Sequence, residues 1–219
     1  MKLRPISARA VILDWDGTLL DSFRADTRAY QAMFRALKIE FSESQLARHY
    51  SPDWYRVYRT AKVPRKQWDL ADKLWAEAYR QENPRLLPGV RVVLRKLSRS
   101  FLLGLVTSGD RKRVIRQLRH FGLENLFAVR VCCEDAARRK PHPAPLLAAL
   151  RSLKLRAAHC IYVGDTPEDI EMARRAGVRS IGIVGPFPVS AKLKAARPGL
   201  LLQSIAELTG TLLPEAEHL

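Results

Sequence analysis

Residues 11–22 read VILDWDGTLLDS, so two carboxylates, Asp14 and Asp16, stand directly after a run of apolar residues. Acidic side chains are depleted in strands and costly to bury, so the pair requires partners elsewhere in the chain. Candidates recur at corresponding places. Thr107 and Ser108 follow FLLGLV, Lys140 stands in RRKPHP beyond AVRVCC, and Asp165 and Asp169 lie in GDTPED after HCIYV. Four carboxylates, a hydroxyl and a lysine brought together form a site for a hard cation and a phosphate. Oxygen ligands of this kind suit Mg2+, which binds through few carboxylates and shares its shell with water and substrate phosphate. The cation would offset the repulsion between Asp14 and Asp165. Lys140 and Thr107 would hold the oxygens of a phosphoryl group and balance the charge that develops there. Singly, each fragment has an ordinary structural use: a turn, a helix cap, a loop lysine, the end of a strand. The set, in this order, carries the chemistry.

These residues work together only if the chain brings them to one rim. Five short apolar runs read as strands buried on both faces: AVILDW from Ala10, FLLGLVT from Phe101, AVRVCC from Ala128, HCIYVGD from His159 and RSIGIVG from Arg179. Helical patterns separate the later runs. RKRVIRQLRHFG closes on Gly122, PAPLLAALRSL repeats apolar residues at three and four, and PEDIEMARRAG opens on Pro167 and closes on Gly177. This alternation predicts an α/β fold with a Rossmann-like, mostly parallel sheet covered by helices on both faces. Ligands of such sheets bind at the carboxyl ends of the strands, where strand order reverses. Every candidate residue lies at or beyond that end of a predicted strand.

The stretch before the second of these strands is different. ADTRAYQAMFRALK, WYRVYRTAK and QWDLADKLWAEAYRQ read as amphipathic helices broken at Pro52 and Pro64, and NPRLLPGVR marks a boundary. The expected organisation is a core of residues 1–18 and 88–219 with an α-helical insert, residues 19–87, after the first strand. Trp54, Trp68 and Trp75 fall in the insert and are expected in its core.

The chain has 219 residues, 47% of them hydrophobic, and its longest apolar runs are of strand length, too short to span a membrane. Basic residues precede an apolar run at the N-terminus, but two aspartates interrupt it and no small-residue cleavage site follows, so no signal peptide is expected. Cys132, Cys133 and Cys160 lack metal-ligand spacing and read as reduced core residues of a cytoplasmic protein. A formal charge of +16 draws anions: phosphorylated metabolites, nucleic acid or acidic surfaces. Its densest group, Arg111, Lys112, Arg113, Arg116 and Arg119, reads first as a solvated helix face. The first three would occupy an opening helical turn, where positive charge opposes the macrodipole, and that adds weight to an anionic ligand facing them. No aromatic residues interleave with the group as single-strand binding requires.

Together DWDGTLLDS, LVTSG, RRKPHP and GDTPEDIEMARRAG, spanning Asp14 to Gly177, resemble the four motifs of the haloacid dehalogenase-like hydrolases, particularly the phosphoglycolate phosphatase-like members. The resemblance implies a covalent mechanism. Asp14 would be the nucleophile and form an aspartyl-phosphate. Asp16 would protonate the leaving oxygen and then deprotonate the hydrolytic water. Mg2+ would be held by Asp14, the backbone carbonyl of Asp16 and Asp165, with Asp169 a further ligand or a support behind it. Thr107, Ser108, Gly109 and Lys140 would bind the phosphoryl group. An acid at Asp16 argues against halide chemistry, because an alkoxide leaving group needs the proton it supplies. The insert matches the position of the family's C1 cap, with Thr18–Asp21 in a flap and Asn83–Gly89 at the second hinge. On it, Arg56, Arg59, Lys62 and Arg65 are candidates for binding a second anionic group of the substrate.

The leading expectation is a Mg2+-dependent phosphatase of a small phosphorylated metabolite, monomeric or homodimeric, with no membrane partner. A phosphosugar mutase of the same superfamily shares Asp14 and Asp16 and is one alternative. A phosphatase acting on nucleotides or nucleic-acid ends is another, less favoured and motivated by the +16 charge. The motifs point to a reaction and leave the substrate open.

Overall fold

The computed structural model describes residues 8–213, so residues 1–7 and 214–219 of the expected core lie outside it. Its first strand, β1 (Ala10–Leu13), has four apolar side chains with no exposure. Val11 and Leu13 enter a cluster on one face with Val90, Leu94, Val114 and Leu118. Ala10 and Ile12 enter another with Leu146, Ala149, Met172 and Ala173. A strand buried on both sides has no polar face, which is why it reads as an unbroken apolar run.

After β1 the chain passes through β2 (Leu20–Asp21) into four helices: α1 (Phe23–Ala36), α2 (Glu43–His49), α3 (Trp54–Thr60) and α4 (Trp68–Arg80). It returns through β3 (Arg85–Leu86), which pairs antiparallel with β2, Leu20 opposite Leu86 and Asp21 opposite Arg85. The remainder alternates: α5 (Val90–Leu97), β4 (Leu102–Val106), α6 (Arg111–Phe121), β5 (Phe127–Val131), α7 (Ala144–Leu153), β6 (Cys160–Gly164), α8 (Pro167–Arg175), β7 (Arg179–Ile183), α9 (Ser190–Ala195), β8 (Leu200–Leu202) and α10 (Leu208–Leu212). Six of the strands form one parallel sheet in the order β5-β4-β1-β6-β7-β8. The chain lays β4 and β5 on one side of β1, then crosses to build β6, β7 and β8 on the other. Strand order therefore reverses at β1, and the cleft of such a sheet opens where Asp14 and Asp16 leave it.

The four inserted helices have a core of their own, with Tyr30, Met33, Phe34, Leu46, Val57, Tyr58, Trp68 and Ala71 buried together. Tyr55 stacks on Trp68 at 4.5 Å, and the Trp68 indole donates to the Val63 carbonyl. Trp68 is thus the core tryptophan expected of this segment. Trp54 and Trp75 are only half-buried and have a second role described below. Cys132 and Cys160 are buried and Cys133 half-buried, all as free thiols. No helix among the described residues is long and apolar enough to cross a membrane.

Seven elements went unread in the sequence, β2, β3, α2, α5, α9, β8 and α10, and three of them show why. Helix α2 carries a capping box, Ser42 accepting from the Gln45 N–H and Gln45 accepting from that of Ser42, and S-x-x-Q was visible. Helix α5 shows RVVLRKL with an apolar face that a periodicity count finds. Strand β8 is three leucines at a sheet edge, too short for any pattern to declare itself.

Candidate active site

The Asp14 N–H donates to the Val163 carbonyl at 2.9 Å, continuing the ladder one residue beyond β1. The alternation that sends Ala10 and Ile12 toward α7 and α8 carries the Asp14 side chain the same way. There Lys140 Nζ lies 2.7 Å from Asp14 Oδ1 and 2.8 Å from Asp169 Oδ1. Trp15 goes to the opposite face, fully buried, with Nε1 donating to Gln117 Oε1 at 2.9 Å.

Gly17 then turns the chain with φ +80°, and a Cβ placed there would come within 2.2 Å of Asp165 Oδ2. Gly17→Ala combines a left-handed backbone with that clash, so we expect a loss of about 2–4 kcal/mol. Urea unfolding measures it; an unchanged midpoint would mean that Asp165 yields freely.

Asp165, at the end of β6, accepts from Thr18 Oγ1 on Oδ1 at 2.8 Å. Its Oδ2 is buried and has no hydrogen-bond partner. Asp14, Asp165 and Asp169 each bring one carboxylate oxygen within 4.8 Å of the others. Asp169 has both oxygens engaged. Oδ1 faces Lys140 and accepts from the Tyr162 hydroxyl at 2.8 Å, while Oδ2 accepts from Thr166 Oγ1 at 2.7 Å and the Thr166 N–H at 3.1 Å. A carboxylate-only set with one buried oxygen left unsatisfied fits a hard divalent cation, and Asp165 is the member free to meet it.

The electrostatics show the same deficit. Burial, then the charges of Asp14 and Asp169, push Asp165 well above the usual carboxylate range. Burial lifts Asp14 to about 7 against the pull of Lys140, and Asp169 adds to the rise. Burial alone would lower Lys140, but Asp14 and Asp169 outweigh it and hold the ammonium charged. Three buried acids share one lysine.

The fourth carboxylate departs from the expected convergence. Asp16 turns away from the other three and takes the fork of Arg113, Nη1 to Oδ1 at 2.9 Å and Nη2 to Oδ2 at 2.7 Å. Burial works to raise Asp16, but the Arg113 charge and its two hydrogen bonds hold it below the ordinary carboxylate value. Arg113 is 7% exposed, with its guanidinium 4.9 Å from the Tyr79 ring and 5.9 Å from that of Trp75. Of the basic group that opens α6, one residue therefore faces the site. Arg111 pairs with Asp135, and its N–H donates to Glu134, while Asp110 caps the Arg113 N–H at 2.9 Å. The acidic caps offset the dipole conflict visible in the sequence.

Thr107 follows β4, is 3% exposed, and accepts from the Gly109 N–H at 3.0 Å. Thr107, Ser108 and Gly109 line a cavity of about 370 Å³ together with Asp14 and Asp16. Tyr30, Trp54, Tyr58, Trp75 and Tyr79 of the inserted helices line the same cavity. The helical residues nominated for a second anion do not line it. Arg56 pairs with Glu168 at 3.5 Å, Arg59 with Asp53 at 3.6 Å, Arg65 lies over Trp68 at 4.0 Å, and Lys62 is exposed. Sequence periodicity places such residues on a helix without saying which side of the insert meets the core.

Over residues 11–183 the chain matches the haloacid dehalogenase-like hydrolase family. It belongs to that family. Among curated haloacid dehalogenase-like relatives, the pyrophosphatase PpaX of Oceanobacillus iheyensis is 24% identical, the match covering 93% of this chain and 96% of that protein. The phosphoglycolate phosphatase of Yersinia pestis is 27% identical over 91% of each. Among solved structures, CbbY from Rhodobacter sphaeroides in complex with phosphate superposes with a TM-score of 0.79 at 23% identity, covering 92% of this chain and 96% of that one. The fold of this hydrolase is thus that of its structural neighbours, and its curated relatives are phosphatases.

Two parts of the hydrolase's site escaped sequence reading. Arg113 left one trace, a basic residue in a first turn that disfavours it. The bonds that hold Asp169 were half visible in Thr166-x-x-Asp169, a capping box confirmed by the Thr166 side chain accepting from the Asp169 N–H.

Proposed function

We propose that this hydrolase is a Mg2+-dependent phosphatase of a small phosphorylated metabolite and that it works through an aspartyl-phosphate on Asp14. The observation that carries the reading is the unsatisfied Asp165 Oδ2 beside an Asp14 paired to Lys140. Asp14, the backbone carbonyl of Asp16 and Asp165 would hold Mg2+, which when bound supplies positive charge to the phosphoryl oxygens. Lys140, buried between Asp14 and Asp169, neutralises charge on the phosphoryl group, and Thr107 and Ser108 present hydroxyl donors to it while the Gly109 N–H orients Thr107. Asp14 attacks phosphorus as the ester bond to the leaving oxygen breaks. Asp16 gives that oxygen its proton and later takes one from the hydrolytic water. Arg113 favours ionised Asp16, the form needed in the second half. The first half requires that pairing to loosen when the cavity fills. Asp169 keeps Lys140 in place, since neither of its oxygens is free.

The sheet rim floors the cavity and the inserted helices roof it. We assign residues 19–87 the role of a cap that excludes water and selects the leaving group. The curated relatives carry different substrate names, so they do not choose one for this chain.

The test is phosphate release from p-nitrophenyl phosphate, sugar phosphates and nucleotides, in Mg2+ and in EDTA. We expect turnover in Mg2+ and loss of at least about a hundredfold in EDTA. Undiminished turnover in EDTA would remove the metal from the scheme. Mg2+ should also raise the melting temperature, and Asp165→Asn should abolish that response.

A further inference from the structure

Resting on the phosphatase reading, we propose that the leaving group is a cationic alcohol: the substrate is the phosphate ester of an amino alcohol whose ammonium group sits in the helical end of the cavity. That end is walled by Tyr30, Trp54, Tyr58, Trp75 and Tyr79 and contains two carboxylates, Asp26 and Asp72. Aromatic faces attract cations electrostatically, and several around one space make a receptor for substituted ammonium groups. The same faces offer nothing to a second anion.

The charges are arranged accordingly. Among the described residues Asp26 has no ion-pair partner, and Asp72 accepts only from the Tyr58 hydroxyl, at 2.8 Å. Both are half-buried, and carboxylates drawn away from water are ordinarily paired with a cation. The two cationic side chains lining the cavity are Arg113, already committed to Asp16, and the exposed Lys73. Burial, with the Asp16 charge nearby and Arg113 in partial opposition, pushes Asp26 up to about 8. Of a net charge of +16, the exposed Lys73 is the one uncommitted cation that reaches this pocket among the described residues, against two carboxylates without an ion pair.

Three donors line the same space. Ser22 is 1% exposed, and its hydroxyl and the buried indole N–H groups of Trp54 and Trp75 make no close hydrogen bond but face Asp16, Asp72 and Asp26 respectively. All three residues line the cavity, where they orient the carboxylates. An amino alcohol ester supplies the cation that Asp26 and Asp72 lack.

Three esters differing in charge decide the matter: phosphocholine, its neutral isostere 3,3-dimethylbutyl phosphate, and 2-phosphoglycolate. We expect kcat/KM for phosphocholine to exceed that of the isostere by about tenfold or more, with 2-phosphoglycolate slowest. Asp26→Asn and Asp72→Asn should each shrink the ratio of cationic to neutral ester. A ratio near one in the wild type, or a ratio that both variants leave unchanged, overturns the proposal. A second measurement does not depend on catalysis: choline and 3,3-dimethylbutanol are titrated into Asp14→Asn protein, following tryptophan fluorescence. Tighter binding of choline supports the cationic pocket; equal or weaker binding rejects it. Hydrolysis of p-nitrophenyl phosphate in parallel judges the phosphatase reading alone, so the two ideas fail separately.

Discussion

Asp14→Asn is expected to lower phosphate release by about four to six orders of magnitude while the chain remains folded. An amide has no lone pair of comparable nucleophilicity and cannot form the acyl phosphate, so the loss falls on kcat. The fold should tolerate the change, because Asp14 is an electrostatic burden. It is 5% exposed, shares one lysine with Asp169, and stands in a cluster with Asp165. Removing one charge leaves Lys140 its contact with Asp169 and relieves Asp165 of a neighbour. In metal-free buffer the variant should therefore melt no lower than the wild type. Quenched-flow and steady-state phosphate assays measure the first effect and calorimetry the second. Turnover within about tenfold of wild type would mean that another group attacks phosphorus.

Arg113→Ala is expected to cost about 3 kcal/mol of stability, because it strands a half-buried carboxylate that now has a buried bidentate partner. The loss of contact with the Tyr79 and Trp75 rings adds a smaller amount, on the order of 1 kcal/mol. For a chain of this size the sum corresponds to a melting temperature lower by about 10 °C. The pH dependence has a definite sign. Asp16 is held below its ordinary value in the folded state, so the pair contributes stability above the unfolded carboxylate pKa. That contribution fades as pH falls through the folded value. Arg113→Ala should remove this acid limb and narrow the gap between the proteins toward low pH. Arg113→Lys, which offers a point charge without a fork, should recover only part of the loss. Urea unfolding of Asp16→Asn, Arg113→Ala and the double variant gives the coupling between them. A coupling near zero would reduce the pair to a coincidence of position.

The sheet and the catalytic rim were legible because each rests on a local rule. Buried parallel strands show as unbroken apolar runs, and the rim residues follow those runs in DWDG, LVTSG, RRKP and GDTPED. What was not legible depended on how one body meets another. Nothing in WYRVYRTAK shows that Trp54 and Tyr58 turn toward the cavity while Arg56 and Arg59 do not. Asp16 and Arg113 lie almost a hundred positions apart, 97 in sequence, and no pattern joins them. The same limit applies to Asp26 and Asp72, which nothing in their helices singles out.

The two-residue pairing of β2 with β3 has a mechanical meaning. The chain enters and leaves the four-helix unit through adjacent segments, fastened by Leu20–Leu86 and Asp21–Arg85 and prolonged by the Leu87 N–H donating to the Leu19 carbonyl at 2.9 Å. A body on one flexible tether wanders in every direction. A body on two antiparallel strands sewn edge to edge would swing about the seam, like a door. A cap moving on such a seam would return over Asp14 along one arc. The search for a productive closure is then one angle rather than three, at the cost of four residues of ribbon.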